Sequence, residues 1–211
     1  FNFMKKNIAI LGSTGSIGKT TLDIVKKNKK DFRIILLSTN KNIKEILKQV
    51  KEFKVNNIIV KSNFYYNKLK KINKNKNLKI YNSFENLHKI FKKKIDYTMC
   101  AISGIEGLKP TFNIIKFSKN IGIANKESII CGWSLINKEI KKNKTNFIPI
   151  DSEHFSIWSL IKNDIHKINE IILTASGGPF LNKSKKFKNK VKPKDALNHP
   201  NWSMGQKISV D

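Results

Sequence analysis

Short apolar runs alternate with amphipathic stretches along the first 150 residues of the chain. Seven runs have the length and β-branched content of buried strands, and they read NIAIL, FRIILLS, NNIIV, LKIY, DYTMCAI, NIGIAN and NFIPID. Segments of helix length lie between them, and in NIKEILKQVKEF the apolar residues recur at helical spacing, at Ile43, Ile46, Leu47, Val50 and Phe53. This alternation predicts an α/β fold with a doubly wound, mostly parallel sheet.

The pattern changes after about residue 150. A helix candidate, EHFSIWSLIK, is followed by a predicted strand, INEIILTA, and then by glycine- and lysine-rich loops that lead to a strand-like KISVD. We therefore expect a first domain at 1–150 and the N-terminal part of an α+β domain at 151–211, with the chain ending inside that second domain.

The charge of the chain does not indicate a nucleic-acid partner. Lysine and arginine total 42 against 15 acidic residues, which gives a formal charge of +27, but Arg33 is the only arginine. The lysines accompany abundant Asn and Ile, which share A/T-rich codons, whereas base readers usually employ arginine. No apolar run reaches membrane-spanning length, and Cys100 and Cys131 stand far apart in sequence, which fits a reducing compartment. We expect a cytoplasmic protein with a small-molecule partner and neither specific nucleic acid nor a membrane.

A glycine-rich turn lies between the first strand and the first helix, in IAILGSTGSIGKTTLDIV at 8–25. A nucleoside triphosphate loop, GxxxxGK[ST], would need glycine at position 13, where the chain has Ser13. Gly12, Gly15 and Gly18 instead form a GxxGxxG variant of the dinucleotide turn, in the strand–turn–helix context that this turn requires. The turn predicts a Rossmann-type dinucleotide site.

The end of the second strand indicates which dinucleotide binds. NAD sites usually place Asp or Glu there to accept a hydrogen bond from the ribose 2′-hydroxyl. This chain reads LLSTNKN, with Lys41 between Asn40 and Asn42. A cation at this position favours a 2′-phosphate, and hence NADPH.

Two further segments place polar residues after predicted strands. IANKES, at 123–128, would offer Asn125, Lys126 and Glu127 to a cofactor or substrate, or Asn125 could simply cap a helix. In PIDSEH, at 149–154, an extended backbone would point Asp151 and Glu153 to the same side, which suits Mg²⁺ or Mn²⁺. The alternative is that Asp151 or Ser152 caps the next helix.

Two loops near the end of the chain also carry candidate chemistry. LTASGGPF, at 173–180, runs from a predicted strand into Ser-Gly-Gly, whose successive amides can form an anion-binding nest. NHPNWSMGQK places His199, Trp202 and Gly205 in a proline-interrupted segment that fits a lid.

Together the motifs GSTGSIG, ANKES, DSEH, SGGPF and HPNWSMG with KISVD resemble the 1-deoxy-D-xylulose 5-phosphate reductoisomerase family, from residue 7 to Asp211. The resemblance implies an NADP-dependent, divalent-metal-dependent oxidoreductase. It would rearrange and reduce 1-deoxy-D-xylulose 5-phosphate to 2-C-methyl-D-erythritol 4-phosphate in non-mevalonate isoprene biosynthesis. It also implies a homodimer of the full-length protein. The MKK start fits a bacterial cytoplasm, with a plastid form as the less favoured alternative.

The same resemblance assigns roles to individual positions. The implied cofactor-binding residues are Thr14, Gly15, Ser16, Ile17, Asn40, Lys41, Asn42, Asn125, Glu127 and Gly205. The implied substrate-binding residues are Lys126, Ser152, Glu153, Ser176, His199 and Trp202. The implied metal ligands are Asp151 and Glu153, and the implied catalytic residues are Lys126, Asp151, Glu153 and His199.

The family continues beyond KISVD with a third metal carboxylate and a C-terminal domain. We therefore expect the 211-residue chain by itself to bind NADPH weakly and to show no turnover, and product formed by the isolated chain would refute this. The alternatives from sequence are another NADPH-dependent oxidoreductase on the same N-terminal fold, such as a semialdehyde dehydrogenase using Cys131, or a P-loop nucleotide-binding protein.

Overall fold

The computed structural model describes residues 4–161, 168–174 and 177–200. All seven strands predicted in the first 150 residues are present, and they are β1 Lys6–Leu11, β2 Phe32–Thr39, β3 Asn57–Val60, β4 Lys79–Tyr81, β5 Ile95–Cys100, β6 Ser118–Ile123 and β7 Asn146–Pro149. The helices of eight or more residues are α1 Ser16–Lys27, α2 Ile43–Phe53, α3 Asn63–Ile72, α4 Leu108–Ile115, α5 Lys126–Asn143 and α6 Ser152–Ile161. Two shorter helices are α7 Lys185–Lys188 and α8 Pro193–Ala196.

The strands form one parallel sheet in the order β4-β3-β2-β1-β5-β6-β7. The chain runs outward from β1 to β4 and then returns to the other side of β1 with β5. The strand order therefore reverses between β1 and β5, and this switch point is where open parallel sheets bind ligands. The predicted doubly wound sheet is confirmed.

Both faces of the sheet are buried, as a doubly wound fold requires. Alternate residues of β1 belong to different apolar clusters: Ile8 and Ile10 lie on one face, and Ala9 and Leu11 lie on the other. The stripe predicted on α2 packs on the first face, where Ile46 is fully buried. The helices therefore hold the strand ends, and the loops after them, in fixed positions.

Asp96 ties three strands together at the edge of the sheet opposite the switch-point loops. Its carboxylate accepts hydrogen bonds from the Asn7 amide on β1 and the Lys119 ammonium on β6, both at 2.8 Å. The hydrogen bond from Lys119 is the main cause that lowers the pKa of Asp96 below its ordinary 3.8, and the Asn7 amide adds to it. Ionised Asp96 therefore stabilises the fold.

We expect Asp96→Asn to lower the free energy of unfolding by roughly 1 kcal/mol at pH 7. A carboxyl whose pKa is lower in the folded state contributes fully above its unfolded pKa, and it loses that contribution as the pH falls through the folded value. The difference from the parent chain should therefore disappear as the pH falls through the lowered pKa of Asp96. Urea unfolding across pH measures it, with the exposed Asp23→Asn on α1 as control. A difference that persists unchanged into acid would contradict the assignment.

The chain is divided into two compact units, Phe1–Trp158 and Ser159–Asp211. Within the second unit, the prediction of a strand at INEIILTA is wrong, because residues 168–174 do not form a strand. A strand needs a neighbour for its backbone hydrogen bonds, and the side chains of Ile171, Ile172 and Leu173 are largely exposed. Among the described residues, no helix is long and apolar enough to cross a membrane.

Candidate functional site

The glycine turn lies at the switch point, and its glycines fulfil different steric requirements. Gly12 has φ of +83°, and a Cβ there would lie 2.7 Å from the carbonyl oxygen of Ala101, which follows β5. A Cβ at Gly18 would collide with the Gly12 carbonyl, whereas one at Gly15 would meet only an ordinary 3.5 Å contact. Gly12 and Gly18 therefore close the turn, and Gly15 leaves its outer surface open.

Ser13, the residue that breaks the triphosphate motif, has a structural role. It is fully buried, and its hydroxyl lies 2.7 Å from the side-chain oxygen of Gln49 on α2. The Gln49 amide donates back to the Ser13 carbonyl at 3.0 Å, and the Ser13 amide donates to the Ser38 carbonyl at 2.9 Å. These bonds fix the turn against β2 and α2.

A cleft of about 440 Å³ opens beside this turn, along the carboxyl ends of β1 to β5. Its walls include three of the predicted cofactor residues, Thr14, Gly15 and Asn40. The Thr14 and Thr39 hydroxyls lie 2.8 Å apart, which orients Thr14 at the cleft. The volume and the absence of side chains at Gly12 and Gly15 fit a dinucleotide pyrophosphate, and no side chain caps the amides that begin α1.

The other predicted cofactor residues near the turn have exposed positions. Ser16 and Ile17 lie in the first turn of α1, and Lys41 lies in the loop between β2 and α2. Asn42 caps α2 by accepting from the Glu45 amide at 3.1 Å. Sequence reasoning missed several wall residues of the cleft, namely Lys61, Phe84, Glu85 and Lys109.

Asn125 caps α5 and also supports the cleft wall. Its side-chain oxygen accepts from the Ser128 amide at 2.8 Å, and its amide nitrogen donates to the carbonyls of Ile102 and Gly104. Ile102 lines the cleft. The capping alternative is thus present, and a direct cofactor contact by Asn125 stays a prediction, as does one by the half-buried Glu127 in the first turn of α5.

The backbone that carries the predicted metal ligands Asp151 and Glu153 differs from the expected one. Residues 151–153 are not extended: Asp151 caps α6, and Glu153 is exposed in its first turn. The Asp151 carboxylate accepts from the His154 amide at 2.9 Å and lies 2.7 Å from the His154 ring nitrogen. The prediction of an extended backbone here is wrong because the helix begins at Ser152, immediately after the cap.

Asp151 nevertheless keeps the charge that a cation needs. Partial burial alone would raise its pKa, but the hydrogen bonds from His154, with the charges of His154 and Lys126, outweigh burial and hold the pKa below its usual value. Lys126, at the start of α5, therefore lies near Asp151. The donor type suits a hard divalent ion, which is commonly held by one or two carboxylates with water or substrate oxygens completing the shell. Among the described residues no group of three His, Cys, Asp or Glu side chains is placed to hold a metal.

The structure describes two of the remaining predicted residues, Ser152 and His199. Ser152 is the first residue of α6, and His199 is buried. Ser176, Trp202 and Gly205 lie outside the described residues. Their roles stay predictions.

Neither cysteine supports a thiol enzyme. Cys131, the nucleophile of the semialdehyde dehydrogenase alternative, is exposed, but the described lining of the cleft does not include it. Cys100 is buried, and burial raises the pKa of its thiol to about 12, so that it stays protonated at neutral pH.

Comparison with known proteins agrees with this geometry. Residues 8–132 match the family model for 1-deoxy-D-xylulose 5-phosphate reductoisomerase, and residues 147–211 match the model for its C-terminal domain. The reductoisomerase of Pelagibacter ubique is 58% identical over 210 residues, and that of Caldanaerobacter subterraneus subsp. tengcongensis is 41% identical over 207. In both cases the match covers 98% of this chain and 54% of the relative, so the chain spans about half the length of these curated relatives.

Solved structures give the same result. The Zymomonas mobilis reductoisomerase in complex with NADPH has a TM-score of 0.85 at 31% identity, covering 93% of this chain and 52% of that one. A DOX-P reductoisomerase in complex with NADPH, fosmidomycin and magnesium has a TM-score of 0.80 at 36% identity, covering 97% and 53%. The chain belongs to the 1-deoxy-D-xylulose 5-phosphate reductoisomerase family.

Proposed function

We propose that this chain forms the NADPH-binding region and the first part of the catalytic region of an NADP-dependent reductoisomerase. The complete protein converts 1-deoxy-D-xylulose 5-phosphate to 2-C-methyl-D-erythritol 4-phosphate in non-mevalonate isoprenoid biosynthesis. The observation that carries the proposal is the open glycine turn at the switch point of a family whose solved members include complexes with NADPH and magnesium.

In this proposal the turn holds the cofactor through its backbone. Gly15 and the amides that begin α1 bind the pyrophosphate, while Thr14, oriented by Thr39, lines its path. Asn40 and Lys41 contact the adenosine end, and Asn125 holds the loop at 102–104 that walls the cleft. These contacts would orient the cofactor towards the substrate.

The substrate end would be formed by the starts of α5 and α6, which follow the neighbouring strands β6 and β7. The Lys126 ammonium binds a substrate oxygen, and Asp151 and Glu153 hold Mg²⁺ or Mn²⁺. When bound, NADPH supplies a hydride, and the metal ion supplies Lewis-acid stabilisation of oxyanions. Ser152, Ser176 and His199 bind the substrate, with Ser176 at its phosphate, and Trp202 covers it.

The proposal extends to the organisation of the complete protein. A domain boundary near residue 150 is supported by the two family matches, which end at 132 and resume at 147. The bacterial origin of the relatives supports a bacterial cytoplasmic location. A homodimer rests on the family resemblance alone.

Ligand protection against thermal unfolding tests the cofactor directly. At a hundred times its dissociation constant, NADPH should add about 2.7 kcal/mol of stability to the complete gene product. ATP at the same concentration should add none, because Ser13 replaces the glycine that a triphosphate loop requires. Protection by ATP and not by NADPH would overturn the proposal in favour of a P-loop protein.

Lys41→Glu should reduce the preference for NADPH over NADH by about tenfold or more, because it puts a carboxylate where the 2′-phosphate is expected. The comparison is the ratio of the two dissociation constants in parent and variant. Lys48→Glu, an exposed lysine further along α2, makes the same charge change and serves as the control. An unchanged ratio in Lys41→Glu would refute the assignment of Lys41.

A further inference from the structure

A second lysine stands beside the expected position of the 2′-phosphate. Lys61 follows the last residue of β3, and β3 pairs with β2 so that Val60 is opposite Thr39. The Lys61 amide donates to the Thr39 carbonyl at 3.0 Å, and the next amide, of Ser62, donates to the Asn40 carbonyl at 3.2 Å. These bonds fix the backbone of Lys61 beside the end of β2.

Lys61 is one of the residues that line the cleft. Both Asn40 and Lys61 line the cleft, from neighbouring strand ends. The end of β2 is where dinucleotide folds distinguish a ribose 2′-hydroxyl from a 2′-phosphate. A cation held one strand away from that point, and facing the same cleft, lies within the region that a 2′-phosphate would occupy.

The ion pair that Glu85 forms in the cleft lining does not involve Lys61. Glu85 forms its ion pair with Lys109, at 2.6 Å, rather than with Lys61. Lys61 is near enough to contribute to the lowered pKa of Glu85, but the hydrogen bond and charge of Lys109 are the larger causes. Glu85 is thus already paired with Lys109, which leaves Lys61 outside that ion pair. The lining also includes Glu106, so its two lysines and two glutamates balance.

We propose that Lys61 is a specificity-determining residue, which binds the 2′-phosphate of NADPH together with Lys41. The proposal rests on the proposed function and deepens it. A 2′-phosphate carries close to two negative charges at neutral pH, and two ammonium groups from adjacent strand ends match that charge. Sequence reasoning could not reach Lys61, because it lies twenty positions after Lys41 and meets it only through the β2–β3 pairing.

The test is the affinity of the complete gene product for NADPH and for NADH, measured by fluorescence titration. Lys61→Gln should weaken NADPH binding by roughly tenfold, the effect of one charge-assisted hydrogen bond, and should change NADH binding by less than about twofold. Lys68→Gln, an exposed lysine on α3, is the control and should change neither. The double variant Lys41→Gln/Lys61→Gln should bind the two cofactors about equally.

The outcomes separate this inference from the proposed function. Suppose that the parent protein prefers NADPH. If Lys61→Gln leaves that preference intact, or weakens the binding of NADPH and NADH equally, the inference is overturned and the proposed function stands. If the parent protein binds neither dinucleotide, both are overturned. Unfolding temperatures of the variants equal to that of the parent would exclude a folding defect as the cause of a loss.

Discussion

Gly18→Ala is expected to lower the free energy of unfolding by about 3 kcal/mol, at the upper end of the usual cost of overpacking. The added Cβ would collide with the Gly12 carbonyl and approach the Cα of Ser13 to 2.6 Å. These are backbone atoms in a turn fixed by the buried bonds of Ser13, so they cannot move aside as a flexible side chain could. For a domain of this size, the melting temperature should fall by roughly 10 °C.

Gly15→Ala is the matched comparison. A Cβ there meets only the Gly12 carbonyl at 3.5 Å, so stability should change by no more than about 1 kcal/mol. The same Cβ projects where the pyrophosphate would approach, so NADPH affinity should fall by at least roughly tenfold. Thermal melting and NADPH titration of both variants check the pair. A Gly18→Ala protein as stable as the parent, or a Gly15→Ala protein that binds NADPH as tightly as the parent, would contradict this interpretation of the turn.

Asp151→Asn should reduce the metal-dependent turnover of the complete gene product by on the order of a thousandfold. The substitution separates the two roles of Asp151. Asparagine caps helices as well as aspartate does, so the start of α6 and the melting temperature should be nearly unchanged. Its neutral amide oxygen is a much poorer ligand for Mg²⁺ than a carboxylate, so raising the magnesium concentration should recover part of the activity.

The control for Asp151→Asn is Asp23→Asn, which removes the same charge from the exposed face of α1. It should leave both turnover and its magnesium dependence unaltered. Should Asp151→Asn unfold the protein and keep the specific activity of the folded fraction, the carboxylate would be a helix cap alone, and the proposed metal site would be wrong.

The strands and the glycine turn could be predicted because their signals are local. Continuous apolar runs such as IIV in β3 identify strands that are buried on both faces, and three glycines after the first strand identify a turn that needs close backbone contact. The turn residues also indicated the position of the cleft. The sequence pattern was sufficient for these elements because neighbouring residues in the chain determine them.

The predictions that failed depended on partners that a linear pattern does not contain. The run IILT has the composition of a strand, but residues 168–174 do not form one, because composition does not supply a pairing neighbour. Asp151 and Glu153 looked like an extended pair, yet a cap residue followed by a helix is equally consistent with DSEH. Lys61 was also missed, because it reaches the cleft only through the order of the strands in the sheet, which the linear pattern does not contain.

Turnover by the complete gene product is the decisive test of the proposed reductoisomerase activity. Supplied with 1-deoxy-D-xylulose 5-phosphate, NADPH and Mg²⁺, it should oxidise NADPH and form an equal amount of 2-C-methyl-D-erythritol 4-phosphate, identified by mass spectrometry. Both signals should disappear when either the metal or the substrate is omitted. If the complete protein is folded and binds NADPH but forms no 2-C-methyl-D-erythritol 4-phosphate under these conditions, the proposed activity is wrong.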